Sequence, residues 1–133
     1  MSAEITIGGL AHRVGVNIET IRYYERIGLM PRPPRTSKGR RIYDESGLRI
    51  LTFIRKARDL GFSIEDTRNL LGLREVHDGC NDVKAIALRH REKVRADMQR
   101  ALEVDRILSD AIERCPGGST AACTILRVLE NAA

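Results

Sequence analysis

Tryptophan is absent from these 133 residues, and the whole aromatic complement is Tyr23, Tyr24, Tyr43, Phe53 and Phe62. So sparse a set argues against one compact core of full domain size and for burial completed by a second copy of the chain. No apolar run approaches the roughly 20 residues that a bilayer span requires. Met1–Leu10 has neither the basic start nor the long apolar stretch of an export signal. The expected compartment is therefore cytoplasmic, with no membrane partner. Cysteine is scarce too, at Cys80, Cys115 and Cys123. An odd number in a reducing compartment points to metal binding or redox sensing before structural disulfides. Finally, Asp82–Arg114 contains no proline and no glycine, and no acidic residue interrupts Arg32–Arg41.

What is present is unevenly distributed. The net charge of +5 lies entirely in the first 73 residues, because the remaining 60 carry equal numbers of basic and acidic side chains. Five basic residues fall between Arg32 and Arg41. That is an anion-seeking surface, and nucleic acid is its default partner. Thr6 suits the N-cap of a helix over 7–14 that stops at Gly15, and Asn17 suits the N-cap of a helix over 18–27 that stops at Gly28. Two short helices joined by Gly15-Val16-Asn17 make a helix-turn-helix, with the second as the reading helix. Pro31-Arg32-Pro33-Pro34 breaks the pattern. Ser37-Lys38-Gly39 is a turn signal, and Ile42 and Tyr43 suit a short strand, so this region is expected to be a basic β-hairpin, or wing. Asp44 then caps a helix that ends at Gly61, and Ser63 opens another that ends near Gly72.

The uninterrupted stretch from Asp82 to Arg114 predicts one long helix. Alternating steps of four and three pick out Val83, Ala87, His90, Val94, Asp97, Ala101, Val104, Leu108, Ala111 and Cys115, most of them apolar, as a coiled-coil seam. A helix of that length is about 50 Å long. Cys80 stands just before it and Cys115 and Cys123 just after. Within one straight chain these thiols stay apart, whereas an antiparallel pair of helices sets the start of one beside the end of the other. The spacing therefore suggests two thiolate sites, each built from two chains. The loop from Cys115 to Cys123 contains Pro116, Gly117 and Gly118, and a short terminal helix follows.

Val16-Asn17-Ile18-Glu19-Thr20-Ile21-Arg22-Tyr23-Tyr24-Glu25-Arg26-Ile27-Gly28-Leu29 resembles the signature helix of the MerR family of bacterial transcription regulators. Arg35 through Tyr43 resembles the first wing of that family. Phe53 through Ser63 resembles its third helix and the turn after it. The resemblance implies an all-α protein with a small β wing, consisting of three parts. A winged helix-turn-helix DNA-binding domain covers 1–76, a linker and antiparallel coiled-coil dimerisation helix covers 77–114, and a metal-binding loop with a short terminal helix covers 115–133. It further implies a homodimer on double-stranded promoter DNA, with RNA polymerase engaged through the promoter, and a switch that works by distorting that DNA.

By analogy with the family, Glu19, Arg22 and Tyr24 face DNA from the second helix. Arg35, Arg40 and Arg41 contact phosphate from the wing, and Tyr43 at its base donates to phosphate or packs inside. Tyr23 is expected in the core. Soft thiolates select soft or borderline ions. Three of them, Cys80, Cys115 and Cys123, favour a divalent ion, with Hg(II) ahead of Cd(II), Pb(II) and Zn(II). A cysteine at the position of Cys80 resembles the divalent sensors of the family, whereas the Cys-Pro-Gly loop resembles its copper sensors. Ligand number changes the chemistry directly, so Cys80 is given more weight. A Cu(I), Ag(I) or Au(I) sensor and a thiol-based redox or aldehyde sensor are the alternatives. His77 is a further nitrogen donor in reach of Cys80, although a solvated loop histidine is commoner. No His/Asp partner marks any cysteine as a catalytic nucleophile, so an enzyme is not expected.

Overall fold

The computed structural model describes residues 4–35, 39 and 41–131. It divides into two compact units after Ile86, which falls inside the longest helix. The first unit begins with two short helices, α1 (Ile7–Val14) and α2 (Ile18–Arg26). Thr6 accepts the N–H of Gly9 at 3.0 Å, and Asn17 accepts that of Thr20 at 2.7 Å. Helices α3 (Glu45–Asp59) and α4 (Ile64–Leu73) open in the same way. Asp44 accepts from Gly47 and Ser63 accepts from Asp66, each at 3.0 Å. Each such cap contributes about 1 kcal/mol by satisfying an amide that the helix leaves orphaned.

The carbonyl ends of the first two helices are closed from outside. Arg55 on α3 donates to the Val14 carbonyl, and Arg68 on α4 donates to the Ile27 carbonyl at 2.9 Å. A cation at a helix C-terminus meets the negative end of its dipole, so these arginines also join α3 and α4 to the helix-turn-helix. Leu10, Ile21, Met30, Leu51 and Ile54 are fully buried between α1, α2 and α3.

The wing is sparser than the sequence suggests. Among the described residues, no extended ladder forms, only single antiparallel bridges between Arg35 and Arg41 and between Ile5 and Tyr43. Tyr43 exchanges both backbone hydrogen bonds with Ile5 at 2.8 Å, so the strand expected over Ile42 and Tyr43 pairs with the N-terminal segment as well as across the wing.

Helix α5 runs from Cys80 to Arg114. It starts two residues earlier than expected, because the Gly79 carbonyl accepts the N–H of Val83 at 3.0 Å and takes over the capping position. Cys80 is thus the first residue of the helix and not part of the segment before it. In the second unit, α5 ends at Arg114, a single 3-10 turn covers Thr120–Ala122, and α6 runs over Thr124–Glu130. The Thr124 hydroxyl donates to the Ala111 carbonyl, which draws the start of α6 against the last turns of α5. Ala111 is 3% exposed as a result, so this seam position is already covered by its own chain. Val94, Met98, Val104, Leu108 and Ile112 stay open to solvent along the same helix. No helix among the described residues is long and apolar enough to cross a membrane.

Candidate nucleic-acid interface and thiol pair

Helix α2 buries Ile21, Tyr24 and Glu25. Residues three and four apart share a helix face, so Tyr24 and Glu25 follow Ile21 into the core and Tyr23 is turned out. The two tyrosines therefore exchange the roles expected of them. Tyr24 is 9% exposed, and Tyr23 is 42% exposed with the Arg26 guanidinium 5.6 Å above its ring. The spacing from Ile21 carried that signal in the sequence. Glu19 and Arg22 do lie on the open face, and they pair with each other at 2.9 Å.

The buried carboxylate of Glu25 holds the wing. One oxygen accepts Arg41 at 2.6 Å and the other accepts the Tyr43 hydroxyl at 2.7 Å. Tyr43 is consequently a buried residue whose hydroxyl points inward, so of its two expected parts it takes the packing one and not that of a phosphate donor. Burial first, and then the neighbouring Glu25 carboxylate, push its phenol well above the ordinary tyrosine range. Arg41 is likewise tied to Glu25, with its side chain one-quarter exposed, and is no free wing cation. Glu25 was not foreseen from sequence, although an acidic residue on the inner face of a helix announces a buried partner. Arg40 lies outside the described residues.

These elements enclose a groove of about 570 Å³ lined by Thr6, Ile7, Arg22, Arg35, Gly39 and Arg41. Arg22, Arg35 and Arg41 line it beside the N-terminus of α1, whose first turn holds no acidic residue, with Arg22 paired to Glu19 and Arg41 to Glu25. Unsatisfied amides and aligned peptide dipoles make such a terminus favourable to anions. The arrangement suits phosphate oxygens.

In the second unit, Gly117 and Gly118 both take left-handed φ values, 76° and 81°, and turn the chain back after Cys115. Together with the Thr124 contact this turns Cys123 back towards Cys115, whose side chain is among the groups that act on the Cys123 thiol. Cys123 is also the N-cap of α6. The Leu126 amide chiefly, then that of Ile125 and the Cys115 thiol, lower its pKa below the usual thiol range, against an opposing effect of burial. All three cysteines are free thiols, and Cys80 is exposed at the start of α5 in the first unit. His77 is exposed in the turn before it. Among the described residues of a single chain, no group of three or more His, Cys, Asp or Glu side chains converges to hold a metal ion.

Residues 5–73 match the family model described as "MerR HTH family regulatory protein", and residues 48–111 match "MerR, DNA binding". The chain is 40% identical over 111 residues to the mercuric resistance operon regulatory protein of Bacillus cereus, covering 83% of this chain and 84% of that one. It is 40% identical over 131 residues to the HTH-type transcriptional regulator ZntR of Escherichia coli K12, covering 96% and 93% respectively. Among solved structures, it is similar to the transcription regulator PbrR691 from Ralstonia metallidurans CH34 in complex with lead(II). That similarity has a TM-score of 0.78 and 34% identity over 94% of this chain and 98% of the other.

Proposed function

The chain belongs to the MerR family of helix-turn-helix transcription regulators, and from that premise we propose how it senses its signal and acts on DNA. It is a metal-responsive regulator and not an enzyme. In this reading it binds promoter DNA as a homodimer and activates a metal-resistance operon by distorting the promoter when a soft divalent ion binds, with Hg(II) favoured over Cd(II), Pb(II) and Zn(II). Glu19, Arg22, Arg35 and Arg40 serve the DNA surface, and Arg41 lines it from its pair with Glu25. Cys80, Cys115 and Cys123 serve the ion. The domain limits are those expected above, with 1–76 for DNA, 77–114 for dimerisation and 115–133 for metal.

The observation that carries the reading is the turn at Gly117 and Gly118 and the Thr124 bond to Ala111, which fold Cys123 back towards Cys115 at the end of α5, taken with an exposed third thiol at the start of that helix. One chain supplies a two-thiol site. Cys80 of a second, antiparallel chain would complete a three-thiolate site, which suits a soft divalent cation. Two thiols alone suit a monovalent ion in linear coordination, so the pair of cysteines on one loop also favours a Cu(I) sensor as the second reading. The metal supplies free energy that can be of order 10 kcal/mol, of which only the part differing between the two dimer shapes drives the switch.

Competitive metal titration of the reduced protein, read by transcription from its promoter, tests this. Cys80→Ser is expected to retain DNA binding and lose the response to divalent ions. Full induction by Hg(II) in that variant would overturn the three-thiolate reading, and a retained response to Cu(I) alone would favour the second.

A further inference from the structure

Among the described residues, the buried polar side chains are Glu25 and Thr67. Thr67 closes a local bond to the Ser63 carbonyl at 2.8 Å. Glu25 instead spans two elements. We propose that Glu25 is a positioning residue for nucleic-acid recognition, whose carboxylate sets where the wing stands against α2 and hence the spacing of the three arginines that line the groove. The proposal rests on the reading of this chain as a DNA-binding regulator.

The geometry separates what Glu25 holds from what holds itself. Tyr43 is fixed by two backbone bonds to Ile5 whatever its side chain does. Arg41 lies two residues further into the wing. Its backbone bridges to Arg35, and the Ile42 N–H donates to the Pro34 carbonyl at 3.1 Å. Among the described residues, the bond from Arg41 to Glu25 ties this part of the wing to α2. Arg22 is on α2, whereas Arg35 and Arg41 are on the wing, so the bond sets the distance between the two halves of the groove. Both bonds to Glu25 are short and charge-assisted, the class with the strongest directional preference. They also leave neither carboxylate oxygen unsatisfied in the core.

A purely electrostatic role makes the opposite forecast. Glu25 carries a negative charge beside a surface meant for phosphate, so neutralising it should tighten binding to any DNA. A positioning role predicts weaker binding to a preferred sequence, because phosphate contacts set the register in which bases are read.

The experiment uses the full chain and two probes: a duplex that the wild-type protein selects from a random-sequence pool, and mixed-sequence genomic DNA. Glu25→Gln keeps the side chain's size and removes its charge. It is expected to weaken binding to the selected duplex about tenfold, with binding to genomic DNA unchanged or tighter. Arg41→Gln weakens selected binding as well, and the double variant is expected to be no weaker than Arg41→Gln alone, since the two act as one unit. Tyr43→Phe removes one of the two bonds and no charge, and is expected to lose about threefold. It carries the test if thermal melting shows Glu25→Gln unfolded. Wild-type or tighter binding of the selected duplex by the folded variant, or losses from Glu25→Gln and Arg41→Gln that multiply, would overturn the positioning role. Failure of the wild-type protein to select any duplex would instead remove the DNA-binding reading beneath it.

Discussion

Gly15 and Gly118 take nearly the same left-handed backbone conformation, with φ of 82° and 81°. Their surroundings differ. A Cβ at Gly15 would collide with the Arg55 guanidinium that closes α1, whereas one at Gly118 would meet nothing within 4 Å. Both alanine variants pay the backbone term for positive φ, about 1 kcal/mol, but only Gly15→Ala must also displace Arg55 from the Val14 carbonyl. Gly15→Ala is therefore expected to lose about 2–3 kcal/mol in urea denaturation, and Gly118→Ala about 1 kcal/mol or less. Equal losses would mean that Arg55 contributes nothing at that turn. The glycine stops were legible because they end apolar periodicity. Arg55 was not, because its partner lies 41 residues away and nothing local marks an arginine as a cap. Tyr23 and Tyr24 were misread for a different reason. Family analogy points to Tyr24 as the DNA contact, whereas helix phase from Ile21 turns Tyr24 inward and Tyr23 out.

At the level of elements, Thr6, Asn17, Asp44 and Ser63 each cap the helix that the sequence assigned to them. Caps are readable because a short polar side chain before an apolar period has a local purpose. The start of α5 was not readable in this way, since Gly79 acts through its carbonyl and has no side chain to declare it. The thiol pair shows the same limit. Spacing placed Cys115 and Cys123 on one loop and a short helix after them, so the local amides of α6 that act on Cys123 were within reach of the sequence, while the Thr124 bond to Ala111 that folds the loop back belongs to tertiary structure. The amides favour the thiolate, so the folded pKa is depressed. The resulting stabilisation is present above the unfolded thiol value of about 8.5 and fades as pH falls through the folded value. Alkylation of the reduced, metal-free protein by iodoacetamide, followed by peptide mapping, reads this directly. The pH midpoint for Cys123 is expected below that of an ordinary thiol. Leu126→Pro deletes the amide that contributes most, at a position in the first turn where proline is tolerated, and is expected to move the midpoint up. A midpoint at the ordinary value in the unaltered chain would show that α6 does not act on this sulfur.

For the whole molecule, the question is what covers α5. Val94, Met98, Ala101, Asp105, Leu108 and Ile112 follow steps of four and three, which keeps them along one side of a helix turning about 100° per residue, apolar except at Asp105. In the single chain, Leu108 is 46% exposed and Ile112 is 60% exposed, so their apolar surface contributes little to its own fold. The sequence disclosed the period of this stripe but not its full membership. Met98 and Ile112 are exposed where the period alone points to Asp97 and Ala111, and Ala111 is covered by the start of the chain's own α6. In the proposed dimer the stripe is buried against its copy, and two symmetry-related leucines at position 108 then contribute about 3–6 kcal/mol. Leu108→Glu is expected to raise the dimer dissociation constant about a hundredfold or more in sedimentation equilibrium, without loss of helical circular dichroism. Ile107 is comparably exposed, at 45%, but sits about 100° further round the helix from Leu108, so Ile107→Glu should leave the dimer intact. Because each thiolate site in this reading draws on both chains, Leu108→Glu should also abolish metal-dependent transcription with Cys80, Cys115 and Cys123 all in place. A monomeric variant that still responded to metal would show that one chain is sufficient for sensing.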